Sequence, residues 1–148
     1  MVDAVKEVLG PADALVVHPW GNWAIGYYGP WPVTLVKVSD STNGFFVHPA
    51  RDHTLVLAES YEGRSFRDPV AIESQLSKLM SEPFSRIVYF GDHGHWPEHQ
   101  AIARAIARYG YVVTRQESRP TGTGRALAVL IVLDRADSVP TEQRNPTR

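Results

Sequence analysis

Arg86-Ile87-Val88-Tyr89-Phe90-Gly91-Asp92-His93-Gly94-His95 sets four consecutive β-branched or aromatic residues before a turn-forming group rich in glycine and histidine. Such a run, bounded by loop residues, reads as a buried strand over 86–90 and a loop over 91–95. Pro97 then opens a helix over 97–109, with Ile102, Ile106 and Tyr109 along one side and Gly110 at its stop. Strand, loop and helix in that order form the repeating unit of α/β domains.

The same unit appears on either side. Val2, Val5, Val8 and Leu9 recur at helical spacing before Gly10-Pro11, so a short amphipathic helix opens the chain. Residues 14–18 (Ala-Leu-Val-Val-His) read as a buried strand, and Trp23, Tyr27 and Tyr28 share a face of a short helix ended by Gly29-Pro30. Residues 33–38 read as a second strand, followed by turn chemistry over 39–44, and residues 54–58 as another strand. Asp68 is a good N-cap before Pro69, and Ile72, Leu76, Leu79 and Met80 mark the helix it starts. Residues 111–114 and 126–133 add two strands, joined through Arg119-Pro120-Thr121-Gly122-Thr123-Gly124 as a hairpin. The expected fold is therefore α/β: a three-layer, Rossmann-like arrangement with a mainly parallel sheet and an antiparallel C-terminal edge. Residues 1–137 form one domain, and the polar, proline-containing residues 138–148 are expected to be a disordered tail.

Composition narrows the function classes. At 148 residues the chain can bury a core of its own. Fifteen basic residues against sixteen acidic ones leave a formal charge of −1, so no basic footprint for nucleic acid is visible. Without cysteine there is no disulfide, thiolate metal site or cysteine nucleophile. The longest apolar run, residues 126–133, is far shorter than the roughly 20 residues of a spanning helix. The phosphate-loop, dinucleotide-binding and Gly-x-Ser-x-Gly patterns are all absent, and no cofactor is expected.

Ligands of α/β sheets gather beyond the C-terminal ends of strands, which singles out residues 18–22 and 91–95. Asp92, His93, His95 and His99 are the densest group of metal-type ligands in the chain, suited to zinc or iron and to a metal-bound water in a small hydrolase. The plainer reading is that His95 or Asp92 caps the following helix. His18, Trp20, Asn22 and Trp23 form the second group: a sugar can stack on an indole while His18 and Asn22 meet its hydroxyls. Its plainer reading is core packing, or a subunit interface that buries the Trp/Tyr segment of an intracellular homo-oligomer.

The stretches Gly10-Pro11-Ala12-Asp13-Ala14-Leu15-Val16-Val17, Asn22-Trp23-Ala24-Ile25-Gly26-Tyr27-Tyr28, Arg86-Ile87-Val88-Tyr89-Phe90 and Tyr109-Gly110-Tyr111 together resemble a known pattern. It is that of the soluble C-terminal domain of polytopic type C membrane glycosyltransferases of actinobacteria, and the likeness spans residues 10–133. The resemblance implies an extracytoplasmic domain whose catalytic acidic residue and polyprenyl-phosphate sugar site lie in the membrane half of the parent protein. It assigns no catalytic residue here, and it implies as partners that membrane half and a carbohydrate or lipid-linked sugar acceptor. The Asp92-His93-Gly94-His95 loop departs from the family pattern, which leaves a free-standing cytoplasmic protein as the alternative.

Overall fold

The computed structural model describes residues 1–37, 45–61, 63–65, 67–121 and 126–139. The chain opens with helix α1 (Val2–Val8) and strand β1 (Ala14–Val17), which is buried at every position. A 3-10 turn at Pro19–Gly21 leads into helix α2 (Asn22–Tyr28). Short strands follow: β2 (Val33–Lys37), β3 (Phe45–Pro49), β4 (Thr54–Val56), β5 (Ser60–Tyr61) and β6 (Arg64–Ser65). Helix α3 (Pro69–Leu79) starts where the Asp68 carboxylate accepts the Val70 N–H at 2.8 Å. Strand β7 (Arg86–Gly94), helix α4 (Trp96–Ala107) and the long strands β8 (Tyr111–Thr121) and β9 (Ala126–Arg135) complete the domain.

The result is a mixed α/β fold whose five-stranded sheet runs β4-β1-β7-β9-β8. β1 lies parallel to both β4 and β7, with Leu15 opposite Val88, while β9 runs antiparallel to β7 and β8. The three inner strands are the ones with unbroken apolar runs, as strands covered on both faces require. Their side chains divide by the two-residue period of a strand. Val16, Ile87, Tyr89, Val129, Ile131 and Leu133 pack with Ile72 and Leu76 of α3 and Ile102 and Ile106 of α4. Leu15, Val17, Val88, Phe90, Leu130 and Val132 pack with Val5 of α1 and Ile25 of α2.

Several expectations are corrected. The sheet is half parallel rather than mainly so, because the β8–β9 hairpin is antiparallel by construction and β9 joins β7 in the same sense. Residues 33–37 do form a strand but stay out of the large sheet, making a separate antiparallel pair with β3. With Val33, Thr34 and Leu35 all exposed, β2 has no face covered as an inner strand would. Residues 91–94 are not a loop but the end of β7, held there by the length of β9. β8 likewise runs to Thr121, where a strand ending at residue 114 was expected. Of the expected tail, Ser138 and Val139 are described: the Ser138 N–H bonds the Arg135 carbonyl at 3.0 Å and Val139 is buried. Residues 38–44, which hold the turn expected at 39–44, residues 122–125 of the expected hairpin connection, and residues 140–148 lie outside the described residues. No helix among the described residues is long and apolar enough to cross a membrane.

At the start of β8 the buried Tyr111 hydroxyl donates to the Phe84 carbonyl at 2.8 Å and accepts the Phe84 N–H at 3.2 Å. Tyr111→Phe strands both backbone groups and is expected to cost about 1–3 kcal/mol. The check is a lower denaturant midpoint with an unchanged slope.

Candidate functional site

The C-terminal end of β1 lies beside Phe90, where β7 runs on to Gly94, and there the two expected neighbourhoods meet. The His18 N–H donates to the Phe90 carbonyl at 2.8 Å, extending the β1–β7 ladder by one residue. Pro19–Gly21 then turns tightly over the Phe90 ring, so that a Cβ on Gly21 would stand 3.1 Å from it and 3.4 Å from the Asp92 nitrogen. On β7 the register slips between Gly91 and Gly94, forming a bulge in which His93 takes a left-handed φ of 58°.

Beneath the bulge lies a column of rings. The Tyr89 hydroxyl and His99 Nδ1 are 2.7 Å apart in the core, and the His99 and His18 rings are 5.1 Å apart centre to centre. The His18 ring meets Trp20 edge-on at 5.5 Å, and the Arg67 guanidinium lies 5.9 Å from the Trp20 ring. Arg67 is also paired with Glu98 at 2.7 Å. Both imidazoles are fully buried. Room for them comes from the backbone: a Cβ on Gly94 would sit 2.6 Å from the His99 ring, and one on Gly91 would collide with the same ring. Glycine inside a strand marks this kind of close approach.

Burial decides the charge of the column. It lowers His18 from the ordinary 6.5 to about 3, with smaller contributions from His99 and Arg67. Burial lowers His99 as well, against an opposing pull from the backbone at Leu127 and Gly94 and from the Glu98 and Asp92 carboxylates. Tyr89 is raised well above 10 by burial and then by Glu98. At neutral pH all three groups are uncharged. The Trp20 N–H donates to His18 Nδ1 at 3.3 Å, which places the His18 proton on Nε2.

The expected ligand groups fare differently. Asp92, His93, His95 and His99 do not converge, and no three such side chains among the described residues are placed to share a metal ion. His99 is turned into the core, while the Asp92 carboxylate accepts the His93 N–H at 2.9 Å and faces His93 Nδ1 at 3.1 Å. His95 is the N-cap residue of α4, and its N–H donates to Glu98 at 3.2 Å. The capping role holds for His95, whereas Asp92 braces the bulge instead. For a sugar, His18 and Asn22 are out of reach: both are buried, and the Asn22 amide donates to the Pro19 carbonyl and accepts the Val47 N–H at 3.0 Å. Trp20 is half-buried and Trp23 is 52% exposed, so of the four only the indoles reach the surface.

Sequence reasoning missed Tyr89, Gly91, Gly94 and Arg67. The two glycines flanking Asp92-His93 were the available signal, since glycine within a strand run points to a bulge. Beside Arg67 and Glu98, Ile72, Pro97, Ala101 and Ile102 line a groove of about 160 Å³ between α3 and α4. That is below the roughly 300 Å³ at which ligand pockets begin.

Because folded His18 resists protonation until about pH 3, unfolding takes up a proton anywhere between there and 6.5. Stability is complete above pH 6.5 and falls by about 1.4 kcal/mol per pH unit for each such group as the solution is acidified. Denaturant titrations across that window check the slope, and histidine NMR should show His18 still neutral at pH 5. Gly94→Ala is expected to cost about 1–3 kcal/mol through the clash with His99, read as a lowered Tm. No family model matches the chain and no curated protein is significantly similar to it, so the site is read on its own geometry.

Proposed function

We propose that this chain is a non-catalytic, extracytoplasmic accessory domain of a membrane glycosyltransferase, and that it offers an aromatic face to a carbohydrate acceptor or to the membrane half of its parent. The observation that carries this reading is the surface of α2. Asn22 and Ile25 point inward and are buried, while Trp23, Tyr27 and Tyr28 are 52%, 83% and 64% exposed. Trp23 and Tyr27 are one helical turn apart, and the Tyr27 and Tyr28 rings meet edge-on at 4.9 Å. Exposed indole and phenol faces suit the apolar faces of sugar rings, with hydroxyls at the margin for hydrogen bonds.

The histidine column supports the same reading. A general base needs a pKa near the working pH and reach to its substrate; His18 has neither, and the buried His99 has no reach. In this reading they are packing elements. The split of the core into two clusters, one with α1 and α2 and one with α3 and α4, is consistent with the three-layer Rossmann-like arrangement of the resembling domains.

Titration of the chain with mannose oligosaccharides, followed by NMR of the tryptophan indoles, tests the proposal. Weak binding, with Kd on the order of 1 mM, should shift Trp23 and leave the buried rings unmoved. Tyr27→Ala should abolish the Trp23 shift while changing stability by less than about 0.5 kcal/mol. Efficient hydrolysis of an ester, phosphate or glycoside by the pure chain would contradict the reading.

A further inference from the structure

The β2–β3 hairpin has one closed edge and one open edge. Val33 lies opposite Pro49 and Leu35 opposite Val47, and the Ala50 N–H bonds the Pro32 carbonyl at 2.6 Å. That last bond makes Val33–Pro49 a non-hydrogen-bonded pair, and the alternation of an antiparallel ladder makes Leu35–Val47 another. The backbone N–H and C=O groups of Val33 and Leu35 therefore point away from β3. On the far side of the hairpin the Val47 N–H also points outward, but there Asn22 of α2 accepts it at 3.0 Å. Among the described residues no third strand pairs with β2.

Exposed edges are normally blunted with charges or proline, because an open ladder recruits other strands. β8, the edge of the large sheet, follows this rule with Arg115, Glu117, Arg119 and Pro120. β2 does the opposite: Val33 is 45% exposed and Leu35 61%, with Thr34 exposed between them.

We infer that β2 is a docking edge for a second copy of this chain, the two β2 strands pairing antiparallel about a twofold axis at Leu35 to form a four-stranded sheet. The groups on offer are backbone donors and acceptors at strand spacing, so the occupant is an extended strand. An identical strand satisfies them fully. With Leu35 opposite Leu35 of the second copy, Val33 falls opposite Lys37, and each outward-facing residue meets another. β2 carries one lysine, Lys37, and by register the two Lys37 positions fall at opposite ends of the ladder, so no like charges are opposed. The contact is self-complementary and closed, as a twofold interface must be. This inference goes beyond the accessory-domain reading and does not rest on it, because Trp23 and Tyr27 take no part.

Light scattering over a concentration series on the full chain tests it. Wild type should move from monomer to dimer mass. Leu35→Pro deletes an outward N–H that β3 does not use, and Leu35→Lys sets like charges face to face; both should weaken the dimer about tenfold or more. Leu35→Glu alone should also be monomeric, and mixing it with Leu35→Lys should restore the dimer. Should Leu35→Pro fail to fold, the lysine and glutamate variants decide the matter. Tyr27→Ala should dimerise as wild type does, separating this edge from the aromatic face. A wild type that stays monomeric throughout, or a dimer that Leu35→Lys leaves intact, would overturn the inference.

Discussion

The parallel pairing of Ala14–Val17 with the first half of β7 is the contact from which the rest of the molecule follows. It aligns Val17 with Phe90, so β1 ends beside the middle of β7, which runs on to Gly94. His18 is drawn into the last rung of that ladder and has no route to solvent. Its imidazole, together with that of His99, must be housed in the core, and the bulge with its two glycines makes the space. The charge state follows from the housing: desolvation holds both imidazoles neutral, and His99, 5.1 Å away, and Arg67 further disfavour a charge on His18.

Legibility of the fold tracks burial. β1, β7 and β9 were readable because strands covered on both faces carry unbroken aliphatic or aromatic runs, and the cap at Asp68 fixed the start of α3; α4 ends at Ala107, short of the stop expected at Gly110. The fate of residues 33–37 was not readable. Val-Thr-Leu-Val has strand propensity wherever it lies, and propensity does not name a partner. The same limit hid the reach of β8, whose polar residues 115–120 are strand only because β9 runs opposite them. A local pattern does not report pairing supplied by a distant strand, as when Arg115 lies opposite Val132.

The structure brings residues 18–22 and 91–94 together as the sequence suggested, but turns several of their side chains inward. Histidine, asparagine and aspartate after two strand ends have the composition of a ligand-binding rim, yet His18, Asn22 and His99 spend their polar atoms or their rings inside the molecule. Direction is what the sequence lacked: the bulge reverses which side of β7 each residue faces, and α4 turns His99 inward to Tyr89. The aromatic residues of α2 were the more faithful signal, because the same helical period that buries Asn22 and Ile25 leaves Trp23 and Tyr27 outside.

His18 and His99 are internal packing, and in the proposed reading recognition falls to exposed aromatic and backbone groups. A nuclear Overhauser spectrum of the isotopically labelled chain tests that packing most directly. The structure requires cross-peaks from the His18 ring to the His99 ring and to Gly94, and from the His99 ring to Tyr89. Finding these with no exchange to water at the His18 ring would bear the account out. A His18 ring without those contacts and in rapid exchange with solvent would contradict it.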